Sequence, residues 1–148
     1  SAFIICASPA YLAQHGTPQT PQQLLEHQAL LPAVSAVRRE LTLYGHAGQK
    51  TNLPLIPALL SSSQIELLLA ACLAGLGIAG LPSFIAEQAL NNGALVRVLP
   101  EWQGTTLNLY AAMPTRKHIP ARTRAFVDFL VQTFGGSSAD PWLNATQR

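Results

Sequence analysis

The stretch LLLAACLAGLGIAGLPSF, residues 67–84, decides the fold. Its glycines at positions 75, 77 and 80 have the G-x-G-x-x-G spacing of a dinucleotide-binding loop. Such a loop follows a strand and opens a helix, so that pyrophosphate meets the free N–H groups of the helix. Here the order is reversed, because a helical stripe precedes Gly75 and a short strand, Ile78 to Leu81, follows it. We therefore expect no nucleotide cofactor: Gly75 ends a helix, while Gly77 and Gly80 allow close packing of helix on sheet.

Helices and strands alternate on both sides of this stretch. The capping box Ser63-Gln64-Ile65-Glu66 predicts the start of the helix before Gly75, and Ser83 is expected to cap a second helix through Asn91. Phe3 to Ala7 is a fully apolar run, typical of a strand buried on both faces, which Ser8-Pro9 ends. Further elements are expected as a helix at 20–27, strands at 29–34, 41–44, 95–99 and 107–113, and a last helix from 120. The run 52–59 carries Pro54 and Pro57, which cannot donate to a ladder, so only an edge or irregular strand is expected there. This alternation predicts an α/β domain with a mostly parallel sheet flanked by helices.

Length and composition limit the class of protein. The 148 residues, of which 49% are hydrophobic, suffice for one domain with a core. A formal net charge of +2 with 11% charged residues argues against nucleic-acid binding by this chain. The uncharged run from Leu67 to Pro82 is shorter than the roughly 20 residues that span a membrane. Cys6 and Cys72 lie in apolar runs as free thiols, so we expect a reducing, cytoplasmic location.

Groups that could carry out catalysis are scattered. The four histidines share no zinc-like spacing, the carboxylates stand singly, and no G-x-S-x-G or S-x-x-K motif is present. We therefore expect neither an enzyme nor a metal site. Ser61 to Ser63 offer hydroxyls and N–H groups at a helix start, which suits either a bound carboxylate or phosphate, or simple capping by Ser63.

Four segments in order carry a family resemblance. They are CASPAYLAQHGTPQTPQQLLEH (6–27), the stretch 67–84, GALVRVLPEW (93–102) and IPARTRAFVDFLVQTF (119–134). Together they resemble the effector-binding domain of LysR-type transcriptional regulators, over about Phe3 to Phe134. The resemblance implies a fold like the type 2 periplasmic binding proteins, with two α/β lobes joined by crossing strands and a small-molecule effector in the cleft between them.

The resemblance also implies a division of the chain. Crossing strands are expected at about 3–7 and 107–113, lobe II at about 8–110, a remnant of lobe I at about 114–134, and a flexible tail at 135–148. The first part of lobe I and the amino-terminal winged helix-turn-helix domain of the family are missing from this sequence, so the chain is expected to be a cut piece. The apolar face of the last helix would then lack the sheet that it normally covers.

Site and partners follow by the same analogy. The effector is expected to be a small carboxylate or aromatic acid, and the residues that face it are Ala7, Ser8, Ser61, Ser62, Ser63, Pro82, Ser83, Phe84 and Met113. The resemblance implies a dimer through the helix from Gln64 to Ala74, a tetramer in the whole regulator, and contact with DNA only through the amino-terminal domain. It implies no cofactor and no membrane partner.

Three functional classes are compatible with such a fold. The first is a ligand-sensing, non-enzymatic domain of a transcription regulator. The alternative is a solute-binding protein of a transport system, which shares the fold and would be secreted. An enzyme of the deaminase or dehydratase type would need a cluster of acid and base residues, and the sequence shows none.

Overall fold

The computed structural model describes residues 1–33, 40–54, 58–108, 120–134, 140 and 142–143. Within these ranges the chain forms strands, α-helices and one 3-10 helix (Pro21–Glu26). The strands are β1 (Phe3–Ala7), β2 (Ala29–Pro32), β3 (Glu40–Gly45), β4 (Lys50–Pro54), β5 (Leu60–Ser62), β6 (Ile78–Pro82), β7 (Val96–Arg97) and β8 (Trp102–Gln103). The helices are α1 (Pro9–His15), α2 (Ile65–Leu73), α3 (Ser83–Asn91) and α4 (Ala121–Phe134).

Five of these strands form the main sheet, in the order β5-β2-β6-β1-β7. Strands β5, β2 and β6 are mutually parallel, whereas β1 is antiparallel to both of its neighbours, β6 and β7. It follows that β1 alone opposes the direction of the other four strands. The prediction of an α/β fold with a mostly parallel sheet and flanking helices is therefore confirmed.

Both faces of the main sheet are covered. Ile4 and Cys6 of β1 join one core cluster with α2 and α3, including the fully buried Leu68. Ile5 and Ala7 point to the opposite face and join a second cluster, in which Tyr11 of α1 is buried. Successive strand residues alternate between faces, so burial of four consecutive residues requires cover on both sides. The expectation for β1 is confirmed.

A second sheet lies over one face of the first. It has the order β4-β3-β8, and both pairings are antiparallel. Leu43 and Leu53 are buried in the same cluster as Ile5 and Ile78, so the β3–β4 hairpin packs against the main sheet. Of the edge or irregular strand expected at 52–59, residues 52–54 belong to β4, which is an edge strand of this sheet. Residues 55–57 lie outside the described residues, and 58–59 are not part of a strand. Trp102 begins β8 and lies opposite Gly45 of β3.

The three glycines of the opening stretch have different roles. Gly75 follows α2 with φ +76°, a left-handed conformation that glycine adopts without strain, so its role as a helix stop is confirmed. A Cβ on Gly77 would lie 2.5 Å from the carbonyl oxygen of Gln28, so the close neighbour is the backbone entering β2 rather than a helix. A Cβ on Gly80 would meet nothing within 4 Å. The close packing predicted at Gly80 is therefore wrong.

Helix starts depart from the sequence prediction. Gln64 is the N-cap of α2 and no side chain caps it; the hydroxyl of Ser62 instead accepts the Gln64 N–H at 3.0 Å. The predicted capping box is wrong, because the chain enters the helix one residue later than Ser63. Ser83 is the first residue of α3 rather than its cap. Ser8, expected only to end a strand, caps α1 by accepting the Tyr11 N–H.

Two other expectations are met in part. The helix expected at 20–27 is a 3-10 helix, and the strand expected at 95–99 narrows to Val96–Arg97. Of the strand expected at 107–113, residues 109–113 lie outside the described residues. Thr106, just before it, forms an antiparallel bridge with Ala2, and the Leu107 N–H donates to the Ser1 carbonyl. The described beginning of this segment thus runs beside the start of β1.

The last helix, α4, begins next to Pro120 as predicted. Its large apolar side chains are well exposed: Phe126 by 60%, Phe129 by 58% and Val131 by 57%. Isolated exposed apolar residues are ordinary, but several on one helix form a surface that water solvates poorly. Within the part of the chain that the structure describes, nothing covers this surface.

Candidate functional site

One edge of the main sheet collects most of the predicted site residues. Strands β2, β5 and β6 run parallel, so Pro32, Ser62 and Pro82 end at the same edge, which we call the carboxyl edge. Because β1 is antiparallel to β6 with Phe3 opposite Pro82, the beginning of β1 lies there too. Ligands of open α/β sheets bind outside the carboxyl ends of the strands.

Ala7 and Ser8 lie elsewhere. Cys6 pairs with Ala79, so the chain leaves β1 at the end of the sheet opposite Pro82. At about 3.4 Å per residue, Ala7 is about 14 Å along the strand from Phe3. Both residues are buried, and the Ser8 hydroxyl is engaged in capping α1. This placement separates Ala7 and Ser8 from the other predicted residues. The sequence places both at the end of β1 but does not reveal at which end of the sheet that strand ends.

The remaining predicted residues are placed as follows. Ser61 and Ser63 are exposed at the end of β5, next to the half-buried Ser62. Pro82 and Ser83 are buried where β6 passes into α3, and Phe84 is 41% exposed. Met113 lies outside the described residues. The structure thus brings together at the carboxyl edge the two groups 61–63 and 82–84.

A carboxylate is bound at this edge by the protein itself. The fully buried Ser83 donates its hydroxyl to Asp140 Oδ2 at 2.7 Å. The same oxygen accepts the backbone N–H of Ala2, also at 2.7 Å. The Ser1 and Ser83 hydroxyl oxygens are 2.7 Å apart. Two short hydrogen bonds to a charged oxygen are stronger than bonds between neutral groups. The start of α3 can therefore hold a carboxylate.

Asp140 was not predicted from the sequence as a site residue. It falls in the segment expected to form a flexible tail, and a single acidic residue there forms no recognisable sequence motif. Two neighbours also contact the domain: the Trp142 ring lies 5.8 Å from that of Phe84, and Leu143 packs against the cluster under α2 and α3. The rings of Phe84 and Trp142 thus contact each other, and each residue lies next in sequence or nearly so to a residue of the carboxylate contact, Ser83 or Asp140.

The two cysteines lie away from the carboxyl edge, inside the core. Both are buried and free, and the Cys72 thiol lies 3.4 Å from the Cys6 carbonyl oxygen. Burial raises the pKa of Cys72 to about 11, and it raises the pKa of Cys6 as well. A thiol acts as a nucleophile only as its thiolate, so these cysteines behave as small apolar core residues, as predicted.

Metal-ligand clusters and membrane-spanning helices are both lacking among the described residues. No group of three or more His, Cys, Asp or Glu residues is arranged there to hold a metal ion. None of the helices in that part of the chain is both long and apolar enough to cross a membrane. The carboxyl edge, with its hydroxyls, its backbone N–H group and an aromatic side chain, has the groups of a binding site.

Comparison with known proteins identifies the family. The model of the LysR substrate binding domain matches residues 1–135, almost the whole chain. The chain belongs to the LysR substrate-binding domain family. The predicted family resemblance is thereby confirmed.

Relatives of this LysR substrate-binding domain are transcriptional regulators. The probable HTH-type transcriptional regulator LtrA of Klebsiella pneumoniae is 36% identical over 133 residues, which are 88% of this chain and 42% of the relative. The HTH-type transcriptional regulator CrgA of Neisseria meningitidis serogroup C is 33% identical over 138 residues, covering 93% of this chain and 45% of CrgA. The chain therefore spans less than half the length of these curated relatives.

Solved structures agree with the family assignment. The regulatory domain of AphB from Vibrio vulnificus superimposes with a TM-score of 0.71 at 25% identity, covering 89% of this chain and 64% of that domain. The regulatory domain of CrgA from Neisseria meningitidis superimposes with a TM-score of 0.65 at 29% identity, covering 90% of this chain and 64% of that domain. These likenesses favour a regulatory domain and not the alternative, a solute-binding protein of a transport system. The relatives are regulators of transcription rather than enzymes.

Proposed function

We propose that this chain is the effector-binding part of a LysR-type transcription regulator, and that the effector binds at the carboxyl edge of the main sheet. The single observation that carries the site is the Asp140 carboxylate, held by the Ser83 hydroxyl and the Ala2 N–H. This contact supports the placement of an acidic ligand at the start of α3. In this proposal an effector carboxylate takes the place of the Asp140 side chain.

The effector class we propose is a small carboxylate, preferably an aromatic acid. Phe84 follows Ser83 in sequence, and its partly exposed ring, which contacts Trp142, offers an apolar surface for an aromatic effector. The hydroxyls of Ser61 to Ser63, at the end of the neighbouring strands, supply further hydrogen bonds. Pro82 shapes the floor of the site. We leave Ala7 and Ser8 out of the site, because they lie at the other end of β1.

The division into lobes remains part of the proposal. The start of β1 and the described residues before 109 run side by side, as two crossing segments would. The exposed apolar surface of α4 fits a helix that packs on the sheet of lobe I in the whole regulator. A ligand that bridges two lobes shifts their angle only by binding one arrangement better than the other. That shift is the proposed signal.

Benzoate binding to this chain tests the proposed site. Asp140→Asn is expected to tighten benzoate binding several-fold. The Asp140 carboxylate competes with benzoate for the Ser83 hydroxyl and the Ala2 N–H, and loss of this competing state raises the apparent affinity. Ser83→Ala is expected to weaken it several-fold, because a hydrogen bond to the charged group is lost. Isothermal titration calorimetry measures both changes, which have opposite signs.

Two controls make this test specific. Glu87→Gln removes a carboxylate one turn further along the same helix, whose side chain makes no hydrogen bond to the Ser83 hydroxyl among the described residues, and is expected to leave the affinity for benzoate unchanged. Benzamide, which has the shape of benzoate without its charge, is expected to bind far more weakly. Equal benzoate affinities for the Asp140→Asn and Glu87→Gln variants would show that the effector site lies elsewhere.

A dimer through α2 is the second part of the proposal. Leu68, Ala71 and Cys72 face the core, whereas the outward face of α2 is apolar. Leu67 and Leu73 on that face are 46% and 42% exposed, and Ala70 between them is exposed too. An outward apolar stripe on a helix is typical of an interface. A twofold dimer would place the same stripe on both partners.

Ala70→Glu is expected to convert the dimer to a monomer, because it would bury an unpaired charge in each half of the interface. Light scattering coupled to size-exclusion chromatography measures the mass. Ala10→Glu, on the exposed side of α1, is the matched control and should leave the mass unchanged. A dimer that persists in the Ala70→Glu variant would exclude α2 from the interface.

Contact with DNA and the place of action complete the proposal. The net charge of +2 gives this chain little attraction for DNA, so an amino-terminal winged helix-turn-helix domain would make that contact. The support is that the curated relatives are HTH-type regulators of which the chain covers less than half. A regulator of this kind acts where bacterial DNA lies, in the cytoplasm, and assembles there as a dimer or tetramer.

A further inference from the structure

A cavity of about 310 Å³ lies between the two sheets. Its floor is the face of the main sheet that carries Ile5, Ile78 and Gly80, and its roof is the β3–β4 hairpin with Leu41, Leu43 and Leu53. The lining residues that the structure describes come from both sheets and from the segments next to them.

The chemistry of the lining is apolar. Leucine, isoleucine and phenylalanine side chains dominate it, and Glu40 is the charged residue at its rim among the described lining residues. On β3, Leu41 and Leu43 point to the main sheet, so strand alternation turns the side chains of Glu40 and Thr42 to the other face. An apolar cavity offers water too few hydrogen-bond partners to hold it.

The size of the cavity indicates what would fill it. Protein interiors pack closely, and an empty apolar cavity destabilises a fold in proportion to its volume. An engineered cavity of about 150 Å³ in another protein stays dry and binds benzene. The present cavity is roughly twice that size, which corresponds to a molecule of two fused rings rather than one.

Gly80 makes the space at the centre of the floor. It does not have the positive φ that would require glycine, and a Cβ there would meet nothing within 4 Å. On β6 it alternates with Ala79 and Leu81, which belong to the opposite core cluster, so a side chain at Gly80 would point into the cavity. Neither the backbone nor a close neighbour therefore explains a glycine at this position.

We propose that the cavity between the two sheets is a binding site for an uncharged, compact, two-ring apolar molecule. The cavity reaches the carboxyl edge at Phe3 and Pro32, but Ser83 and Ala2, whose hydroxyl and N–H suit an anion, are not among its described lining residues. It does not depend on the proposed effector function. The ligand would be held by contact with leucine, isoleucine and phenylalanine side chains. A ligand with a carboxylate would bind poorly, because the charged group would lose its water and find no hydrogen-bonding partner in the cavity.

Binding of 1-fluoronaphthalene to this chain, followed by its fluorine NMR signal, tests the proposal. The signal is expected to shift or broaden on addition of the protein. Gly80→Val fills the floor and Leu41→Phe fills the roof, and each is expected to lower the affinity by about tenfold or more. The two variants act from opposite walls, so the test survives if one of them fails to fold. Thermal unfolding identifies a misfolded variant.

Two control variants should keep the wild-type affinity. Asn52→Val changes the exposed outer face of the same hairpin, and Ser83→Ala changes the carboxyl edge. The proposal is supported if both control variants bind 1-fluoronaphthalene as the wild type does and the two cavity-filling variants lose that binding. Absence of binding by the wild-type chain, or undiminished binding by a folded filled variant, overturns it. Loss of fluoronaphthalene binding in Ser83→Ala would assign the molecule to the carboxyl edge and overturn the separate site.

Discussion

Gly77→Ala is expected to lower the free energy of unfolding by about 2–4 kcal/mol, the range of a severe steric mutation. The new Cβ would lie 2.5 Å from the carbonyl oxygen of Gln28, and backbone atoms cannot move aside as a flexible side chain can. That same oxygen accepts the Ile78 N–H at 2.8 Å, beside the first rung between β2 and β6. Relief of the clash therefore disturbs the parallel pairing at the centre of the sheet.

Gly80→Ala is the matched control on the same stretch of chain. It adds the same methyl group, at a position where a Cβ meets nothing within 4 Å, so the stability should change by less than about 1 kcal/mol. Urea unfolding monitored by circular dichroism gives both values from the midpoint and the slope. Equal losses of stability at Gly77 and Gly80 would show that the close approach to Gln28 is absent in solution.

Leu68→Ala is expected to cost about 3 kcal/mol, within the usual range for a leucine deleted from a core. Leu68 is completely buried in the cluster that joins α2 to the main sheet, together with Leu30 and Ala79. Truncation leaves a void between α2 and the main sheet. The main sheet cannot move in to fill the void, because its other face already packs against the second sheet. A loss of this size is a large part of the total stability of a domain.

The comparison residue is its neighbour Leu67, which is 46% exposed on the outward face of the same helix. Leu67→Ala should cost less than about 1 kcal/mol, because little apolar area is returned to water. Both variants are measured by urea unfolding at low protein concentration, so that association through α2 does not add to the stability. A larger loss of stability for Leu67→Ala than for Leu68→Ala would show that α2 packs on the sheet through the opposite face.

Local patterns predicted the elements that have strong local signals. The apolar run at Phe3–Ala7 became a buried strand, and the helix before Gly75 ends where the glycine permits a positive φ. These features depend on side chains a few residues apart, which is why sequence periodicity and glycine placement were sufficient. Helix α1 was missed because Ser8-Pro9 was interpreted as the end of a strand only, although Ser8 also caps a helix.

The candidate site was predictable only in part. Ser83 and Phe84 were identified through the family resemblance, whereas Asp140, 57 residues from Ser83 in sequence, was not. No local pattern links a lone carboxylate near the end of the chain to the start of a helix so far away. Ala7 and Ser8 lie at the end of β1 opposite the carboxyl edge, which the sequence could not show, because strand direction within a sheet is a property of pairing and not of the strand itself.

The sequence by itself determined the family, the buried strand β1 and the helix stop at Gly75, since each depends on composition and short-range spacing. Tertiary structure alone decided that β1 opposes its sheet neighbours, that Gly77 meets the backbone at Gln28, and that Gly80 faces a cavity. These facts arise where segments distant in sequence pack together. Their contacts are set by mutual shape and hydrogen bonding, which no single segment contains.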